Sequence, residues 1–129
     1  MHYKLALIGF GNVARALARL FLRKQEALKA QGITFSFTGL STGRHGFAVN
    51  PDGLDIQKAL ELVESGKSIN ELSKLPVASS LEVIQNSSAN VMFENSPVNT
   101  QTGQPALDHI RAALDLGMHA ITANKGPVV

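Results

Sequence analysis

Apolar residues along the 129-residue chain follow two alternating patterns. Short runs rich in apolar and β-branched residues, typical of strands, occupy 4–9, 33–40, 90–94 and 120–122. Between them, apolar residues recur at intervals of three and four, as in amphipathic helices, over 12–29, 54–65 and 105–116. Strands that alternate with helices in this way predict a parallel sheet with helical crossover connections.

The first predicted helix and the irregular segments complete this outline. The helix is expected to bury one side, formed by Val13, Leu17, Leu20, Phe21 and Leu28. Residues 41–53, with three glycines and a proline, predict a loop. Residues 68–71 have the spacing of a capping box and predict a short helix. Residues 76–86 leave open a short edge strand near Val77 and a helical turn over 81–84.

The composition excludes several classes of protein. Apolar residues make up 44% and charged residues 17% of the chain, as in globular domains. Cysteine is absent, which excludes disulfides, thiolate metal sites and cysteine nucleophiles. The histidines have no metal-ligand spacing, and every apolar run is far shorter than the ~18 residues of a membrane span. Because the N-terminus also lacks the pattern of a signal peptide, we expect one soluble cytoplasmic domain with no metal and no membrane partner.

Charge is distributed unevenly along the chain. Residues 1–45 hold seven basic and one acidic side chain, a net +6, whereas the remaining residues hold five basic and nine acidic ones, a net −4. A basic segment suits a polyphosphate ligand or a nucleic acid. However, Arg15, Arg19 and Arg23 recur every four residues and form one stripe of a helix, which is typical of a solvated face. Because basic and aromatic residues are not interleaved, we expect no nucleic-acid partner.

The hexapeptide at 9–14 carries the clearest chemical motif. Its sequence, Gly9-Phe10-Gly11-Asn12-Val13-Ala14, has the form G-x-G-x-x-A and stands between a predicted strand and a predicted helix. There the first glycine permits a tight turn, the second lets the backbone approach a pyrophosphate, and Ala14 allows close packing of helix on strand. The helix N-terminus then faces the phosphates. The motif therefore predicts a dinucleotide-binding, Rossmann-like fold, with a parallel sheet of four to five strands and helices on both faces.

The end of the second predicted strand bears on which nucleotide binds. An acidic residue at this point binds the ribose 2′-hydroxyl of NAD. The chain instead has Ser41-Thr42-Gly43-Arg44-His45, and the first acid after it is Asp52. Hydroxyl groups and a guanidinium suit a 2′-phosphate, which arginine binds with two parallel hydrogen bonds. NADP(H) is therefore the favoured cofactor, with NAD(H) as the other candidate.

Polar residues also follow the last two predicted strands. Glu94-Asn95-Ser96-Pro97 follows one strand, and Thr122-Ala123-Asn124-Lys125-Gly126-Pro127 follows the next. Loops after the carboxyl ends of parallel strands line the ligand crevice of a doubly wound sheet. A lysine there is suited to bind a carboxylate or a substrate oxygen, or to support a proton relay, so Lys125 is a candidate assisting residue.

Together these segments form a longer pattern. In chain order they are Ile8-Gly9-Phe10-Gly11-Asn12-Val13, Ser41-Thr42-Gly43-Arg44, Gly53-Leu54-Asp55, Glu94-Asn95-Ser96-Pro97, Thr102-Gly103-Gln104-Pro105-Ala106 and Thr122-Ala123-Asn124-Lys125-Gly126-Pro127. In order and separation, over nearly the whole chain, they resemble the N-terminal, nucleotide-binding domain of homoserine dehydrogenases. Ala14 is a departure, since glycine is commoner there in that family.

The resemblance implies an activity and a set of contacts. The activity is reversible NAD(P)-dependent oxidation of L-homoserine to L-aspartate 4-semialdehyde, in threonine, methionine and isoleucine biosynthesis, by a homo-oligomeric enzyme. The implied contacts are Phe10, Gly11, Asn12 and Val13 on the pyrophosphate, Arg44 on the adenosine phosphate, Ser96 by the nicotinamide ribose, and Lys125 beside nicotinamide and substrate.

The resemblance also sets the expected domain organisation. The family's catalytic domain supplies an acidic residue and a lysine that handle the substrate hydroxyl proton, and no residue of 1–129 matches them. We therefore expect 1–129 to be an incomplete NAD(P)-binding domain, inactive alone, with the catalytic domain beyond it. Two alternatives stay open: the first half of another amino-acid or semialdehyde dehydrogenase, such as an aspartate dehydrogenase-like protein, and a freestanding nucleotide-binding or sensing module without catalysis.

Overall fold

The fold is a five-stranded sheet between two layers of helices. The computed structural model describes residues 1–96 and 101–122. The strands are β1 (His2–Ile8), β2 (Thr34–Ser41), β3 (Phe47–Val49), β4 (Val91–Glu94) and β5 (His119–Thr122). The helices are α1 (Asn12–Ala30), α2 (Ile56–Glu64), α3 (Ser80–Asn86) and α4 (Ala106–Asp115), with a 3₁₀ turn at Asn70–Leu72.

The order of strands across the sheet is β3-β2-β1-β4-β5. The pairs β1–β2, β1–β4 and β4–β5 are parallel, and β3 joins β2 antiparallel. The chain therefore leaves β1 toward one edge and later returns to build the other. At such a reversal the helices that follow β1 and β4 lie on opposite faces of the sheet, which leaves a crevice at the carboxyl ends of the strands. The predicted fold class is confirmed, with one antiparallel strand added at the edge.

Alternate residues of β1 are buried on opposite faces of the sheet. Leu5 and Leu7 pack in a cluster with α1 and α2, whereas Ala6 and Ile8 pack in a second cluster with α3 and α4. Complete burial of a leucine or isoleucine side chain contributes about 1.5–3 kcal/mol to stability. The central strand is therefore held from both sides, and its carboxyl end is a rigid base for the turn that follows.

The predicted buried side of α1 is partly wrong. Val13 is 63% and Leu20 is 40% exposed, whereas Ala14 and Ala18 are completely buried. The helix packs on the sheet through these two small residues, which allow a close approach of helix and strand. Val13 and Leu20 are thereby turned toward an apolar groove beside β5, which Ile121 also lines.

The segment predicted as a loop, 41–53, contains β3. The edge of β3 that faces away from β2 forms hydrogen bonds with the segment after α2. Phe47 N donates to Asn70 Oδ1 at 2.9 Å, and Val49 N donates to Ser73 Oγ at 2.9 Å. Three residues are too few to show a strand's alternation in the sequence. Hydrogen-bond partners that are distant in the sequence, on both edges of β3, therefore determine that these residues form a strand.

The edge strand predicted near Val77 is also wrong, because residues 76–78 are irregular. Helix α3 extends further than the predicted turn, and its start has a clear cause. Ser79 Oγ accepts a hydrogen bond from Glu82 N at 3.1 Å, and Glu82 Oε2 accepts one from Ala78 N at 2.9 Å. Ser79 and Glu82 thus have capping-box spacing, which the sequence contained. The capping box predicted at 68–71 begins only the 3₁₀ turn.

The turn after β1 touches the end of β4 at Gly9. Gly9 has φ +91°, and a Cβ atom placed on it would lie 2.5 Å from the carbonyl carbon of Asn95 and 2.6 Å from Ser96 N. Gly9 N also donates to Ser41 O at 2.8 Å. The ends of β1, β2 and β4 are therefore tied together at a residue that has no room for a side chain.

A buried polar cluster joins β4 to α4 behind this contact. Glu94 is completely buried, and its Oε2 lies 2.6 Å from His109 Nδ1, the distance of a charge-assisted hydrogen bond. Glu94 Oε1 accepts hydrogen bonds from the backbone N–H of Ser96, at 2.7 Å, and from its hydroxyl. The carboxylate thus sets the path of the chain after β4.

We predict that Gly9→Ala lowers the free energy of unfolding by about 2–4 kcal/mol, because it adds both a strained φ and a backbone clash. Gly11→Ala is the matched control. A Cβ atom at Gly11 meets nothing within 4 Å, so its loss should stay below about 1 kcal/mol, typical of an N-cap change. Urea unfolding followed by circular dichroism measures both, and equal losses would contradict the packing role of Gly9.

We predict that His109→Leu destabilises the chain by about 3–5 kcal/mol, because it leaves the Glu94 carboxylate buried without its ring partner. His119→Leu is the control, since His119 is exposed on β5 and its replacement should change stability by less than about 0.5 kcal/mol. The same unfolding measurement applies. A loss at His109 no larger than at His119 would show that the pair contributes nothing to the fold.

Candidate functional site

The N-terminus of α1 is open and uncapped by any side chain. Its N-cap residue, Gly11, makes no side-chain hydrogen bond, and no acidic residue stands in the first turn. A Cβ atom at Gly11 would point into open space. The first backbone N–H groups of a 19-residue helix and the positive end of its dipole are thus available to an anion at this point.

The loop between β2 and β3 presents Arg44 at its tip. Thr42 closes this loop: its Oγ1 donates to Gly46 O at 2.8 Å and accepts from His45 N at 2.7 Å. Thr42 is buried, whereas Arg44 is exposed. The local sequence thus forms a tight turn with Arg44 exposed, and Arg44 lines a cavity together with Gly11 at the start of α1.

A cavity of about 480 Å³ lies between these two features, and we call it the arginine-lined cavity. It brings together the predicted residues Gly9, Phe10, Gly11 and Arg44. It also includes residues that the sequence did not single out for the site. Among the described residues, the lining consists of Gly9, Phe10, Gly11, Arg15, Thr42, Gly43, Arg44, His45, Val63, Glu64 and Asn95.

Two arginines of the α1 stripe contact an acid at the rim of this cavity. Arg19 Nη2 donates a hydrogen bond to Glu64 Oε2, and Arg15 Nη1 lies 3.6 Å from the same oxygen. The hydrogen bond from Arg19, with the charges of both arginines, holds the pKa of Glu64 below its usual range. Arg15 also donates to Asn12 Oδ1 at 2.6 Å. The stripe is therefore partly a wall of the cavity and not wholly a solvated face.

A second cavity, of about 380 Å³, flanks the other side of the β1–α1 turn, and we call it the serine-lined cavity. Four serine hydroxyls line it, and the predicted residues Ser41 and Ser96 are among them. Ser41 Oγ lies 2.5 Å from Ser80 Oγ, so this hydroxyl bonds the end of β2 to the start of α3. Gly9, Thr42 and Gly43 border both cavities, which together form the strand-end cleft.

Two predicted site residues that the structure describes, Asn12 and Val13, are not among the lining residues of these cavities. Asn12 lies at the first turn of α1 with its side chain bonded to Arg15. Val13 faces the apolar groove beside β5. Lys125 lies outside the described residues. Nearest to it along the described chain, Thr122 Oγ1 donates to Glu94 O at 3.2 Å, which joins the ends of β5 and β4.

The other cleft residues were hard to predict from the sequence. Arg15 had a signal, its place on the helix turn that follows the glycine motif. Glu64 had none, because it follows Arg44 by twenty positions and reaches the cavity only through the packing of α2. His109 has a structural role, since its ring forms a hydrogen bond with the buried carboxylate of Glu94.

A larger cavity, about 640 Å³, lies elsewhere, between β3 and the segment before α3. Its charged groups are already engaged within the chain: Lys74 Nζ donates to Asp52 Oδ2 at 2.8 Å, and Glu82 accepts from the backbone of Ala78. Size alone therefore does not make it the site.

Across residues 1–96 and 101–122, no helix is both long and apolar enough to cross a membrane.

Comparison with known proteins finds similarity to homoserine dehydrogenases. No family model matches the chain. A homoserine dehydrogenase of Methanocaldococcus jannaschii is 37% identical over 123 residues, which are 95% of this chain and 36% of that protein. An NAD(+)-dependent homoserine dehydrogenase of Pseudomonas canavaninivorans is 36% identical over 128 residues, 98% of this chain and 36% of that protein.

Solved structures show the same relation at the level of the fold. A hyperthermophilic archaeal homoserine dehydrogenase in complex with NADPH superposes with a TM-score of 0.76 at 24% identity, over 99% of this chain and 37% of that one. The chain thus spans little more than a third of the proteins it matches. It is a homologue of homoserine dehydrogenases over that part of their length, and it has the Rossmann-like fold of their nucleotide-binding domain.

Proposed function

We propose that the chain binds a nicotinamide dinucleotide in the strand-end cleft, as the nucleotide-binding part of a homoserine dehydrogenase. The observation that carries this proposal is the uncapped start of α1 at Gly11, which opens into a cavity that Arg44 also lines. The relatives support it, because one is named as NAD(+)-dependent and a solved neighbour holds NADPH. When bound, the nicotinamide supplies hydride transfer between L-homoserine and L-aspartate 4-semialdehyde.

The pyrophosphate would lie at the start of α1. Phe10, Gly11, Asn12 and Val13 form the turn and the first helical residues, whose backbone N–H groups are suited to phosphate oxygens. A side chain at Gly11 would occupy the open space there, so the glycine keeps this approach clear. Gly9 supports the same turn from below, through its contact with Asn95 and Ser96.

The adenosine end would extend toward the loop after β2. Arg44 is suited to a 2′-phosphate, and Thr42 holds the loop that carries it. Ser41 Oγ is bonded to Ser80, so its contribution is to shape the serine-lined cavity. On these grounds we propose that NADP(H) is preferred and that NAD(H) also binds.

The nicotinamide end would lie over the ends of β4 and β5. Ser96, the residue assigned to the nicotinamide ribose, is held at its backbone N–H and its hydroxyl by Glu94. We assign Lys125 an assisting role at the substrate, by charge or hydrogen bonding. The residues that take the substrate hydroxyl proton, and the interface of a homo-oligomer, would belong to the two thirds of the relatives that this chain does not match.

We predict that Arg44→Ala weakens NADPH binding more than NADH binding, by about 1.5–3 kcal/mol, because a charged hydrogen bond to the 2′-phosphate is lost. Arg111→Ala, an exposed arginine of α4, is the charge-matched control. Titration calorimetry with each dinucleotide gives the four affinities relative to the unchanged chain. Equal losses of affinity for NADPH and NADH would contradict the proposed contact between Arg44 and the 2′-phosphate.

We predict that the purified 129-residue chain binds a dinucleotide but does not reduce NADP(+) when L-homoserine is added. The physical reason is that a bound cofactor without a placed proton acceptor leaves the substrate hydroxyl unactivated. Absorbance at the nicotinamide band follows the reaction, and a complete homoserine dehydrogenase serves as the positive control. Homoserine-dependent reduction would contradict the proposal that the residues which take the substrate proton lie outside this chain. Failure to bind either NAD(H) or NADP(H) would contradict the proposed function itself.

A further inference from the structure

An acid reaches the arginine-lined cavity from an unexpected element. The end of β2 and the loop after it lack an acidic residue, and this absence was the reason to favour NADP(H). In the fold, however, the last residue of α2, Glu64, lines the same cavity as Thr42, Gly43 and Arg44. Tertiary packing therefore brings an acid to the cavity that Arg44 lines, although the two residues are far apart in the sequence.

Two arginines hold the Glu64 carboxylate in place. Arg19 hydrogen-bonds to its Oε2, and Arg15 lies 3.6 Å from that oxygen while its other nitrogens bond to Asn12 and Gly11 O. The side chain of Glu64 is 38% exposed, so the carboxylate remains reachable from the cavity. An anchored, ionised group of this kind has a defined position relative to a bound ligand.

The two forms of the cofactor differ only at the adenosine ribose. NAD(H) has a free 2′-hydroxyl, which a carboxylate binds by accepting its hydrogen bond. NADP(H) has a 2′-phosphate, which a carboxylate repels and a guanidinium attracts. A cavity lined by Arg44 and Glu64 thus contains one group suited to each form.

We propose that Glu64 is a specificity-determining residue that opposes Arg44, disfavouring the 2′-phosphate of NADP(H) and favouring the free 2′-hydroxyl of NAD(H). The inference rests on the proposed dinucleotide site and deepens it. Glu64 also offsets the charge of Arg15, so the charges of Arg15, Arg44 and Glu64 sum to +1 at the cavity. The site accordingly accepts both cofactors with a small preference, which the balance of these side chains sets.

The test is the ratio of NADPH to NADH affinity in the full chain and in Glu64→Gln. Removing the carboxylate should tighten NADPH binding about fivefold to tenfold at low ionic strength, as expected for a partly exposed charge acting on a doubly charged phosphate. NADH binding should weaken by about twofold to threefold, since an amide replaces a charged acceptor. Calorimetry or quenching of nicotinamide fluorescence measures both without any turnover.

Control variants separate position from net charge. Glu61→Gln removes one negative charge from the same helix, three residues away and outside the linings of both cavities. It should leave the ratio within about twofold, because a solvated charge outside the cavity acts through the high dielectric of water. Glu64→Asp keeps the negative charge, so its ratio of NADPH to NADH affinity should stay close to that of the unchanged chain. Glu64→Ala provides a second loss of the carboxylate if the glutamine variant folds poorly, as judged by circular dichroism.

The outcomes distinguish this inference from the function on which it rests. A ratio shifted toward NADPH in Glu64→Gln and Glu64→Ala, but not in Glu61→Gln, supports it. An unchanged ratio in a chain that still binds both dinucleotides overturns the role of Glu64 and leaves the dinucleotide site standing. Equal shifts in Glu61→Gln and Glu64→Gln also overturn it, because only net charge would matter. No binding of either dinucleotide by the unchanged chain overturns both.

Discussion

The contact between Gly9 and the backbone after β4 is the constraint on which the rest of the cleft depends. The order of strands places β1 at the point where the chain reverses direction across the sheet, and the loops after β1 and β4 meet there. With a Cβ position only 2.5 Å from the carbonyl carbon of Asn95, the two segments can approach only if Gly9 has no side chain. The same turn then starts α1 and aims its uncapped N-terminus at the crevice, so one steric limit positions both this helix end and the β4 loop.

Polar groups reinforce this arrangement from beneath. The Glu94 carboxylate is buried where a charge is costly, and its bonds to His109 and Ser96 offset that cost. The result is a β4 loop whose path is set by hydrogen bonds and a turn at β1 whose path is set by sterics. Around them, exposed and half-exposed charges of opposite sign line the arginine-lined cavity, so its ligand preference can change without any change of fold.

The elements that the sequence predicted correctly share a physical property, namely a local signal long enough to read. Strand β1 ends in a continuous apolar run at 5–8 that is buried on both faces, and α4 shows apolar residues at intervals of three and four. The errors occurred where a long-range partner decides the outcome. Strand β3 has three residues, and its edges are bonded by β2 and by Asn70 and Ser73. On α1, apolar spacing alone did not show that Ala14 and Ala18 would pack on the sheet and leave Val13 outside.

The sequence by itself determined the fold class, the glycine turn at 9–14 and the loop that carries Arg44, because each is encoded in residues that are adjacent along the chain. Only the tertiary structure decided which distant side chains share a cavity with them. Glu64 lines the same cavity as Arg44 because α2 packs on the same face of the sheet as α1, and His109 contacts Glu94 because α4 packs on the opposite face. Such pairings follow from the geometry of packed layers, which has no counterpart in the spacing of residues along one chain.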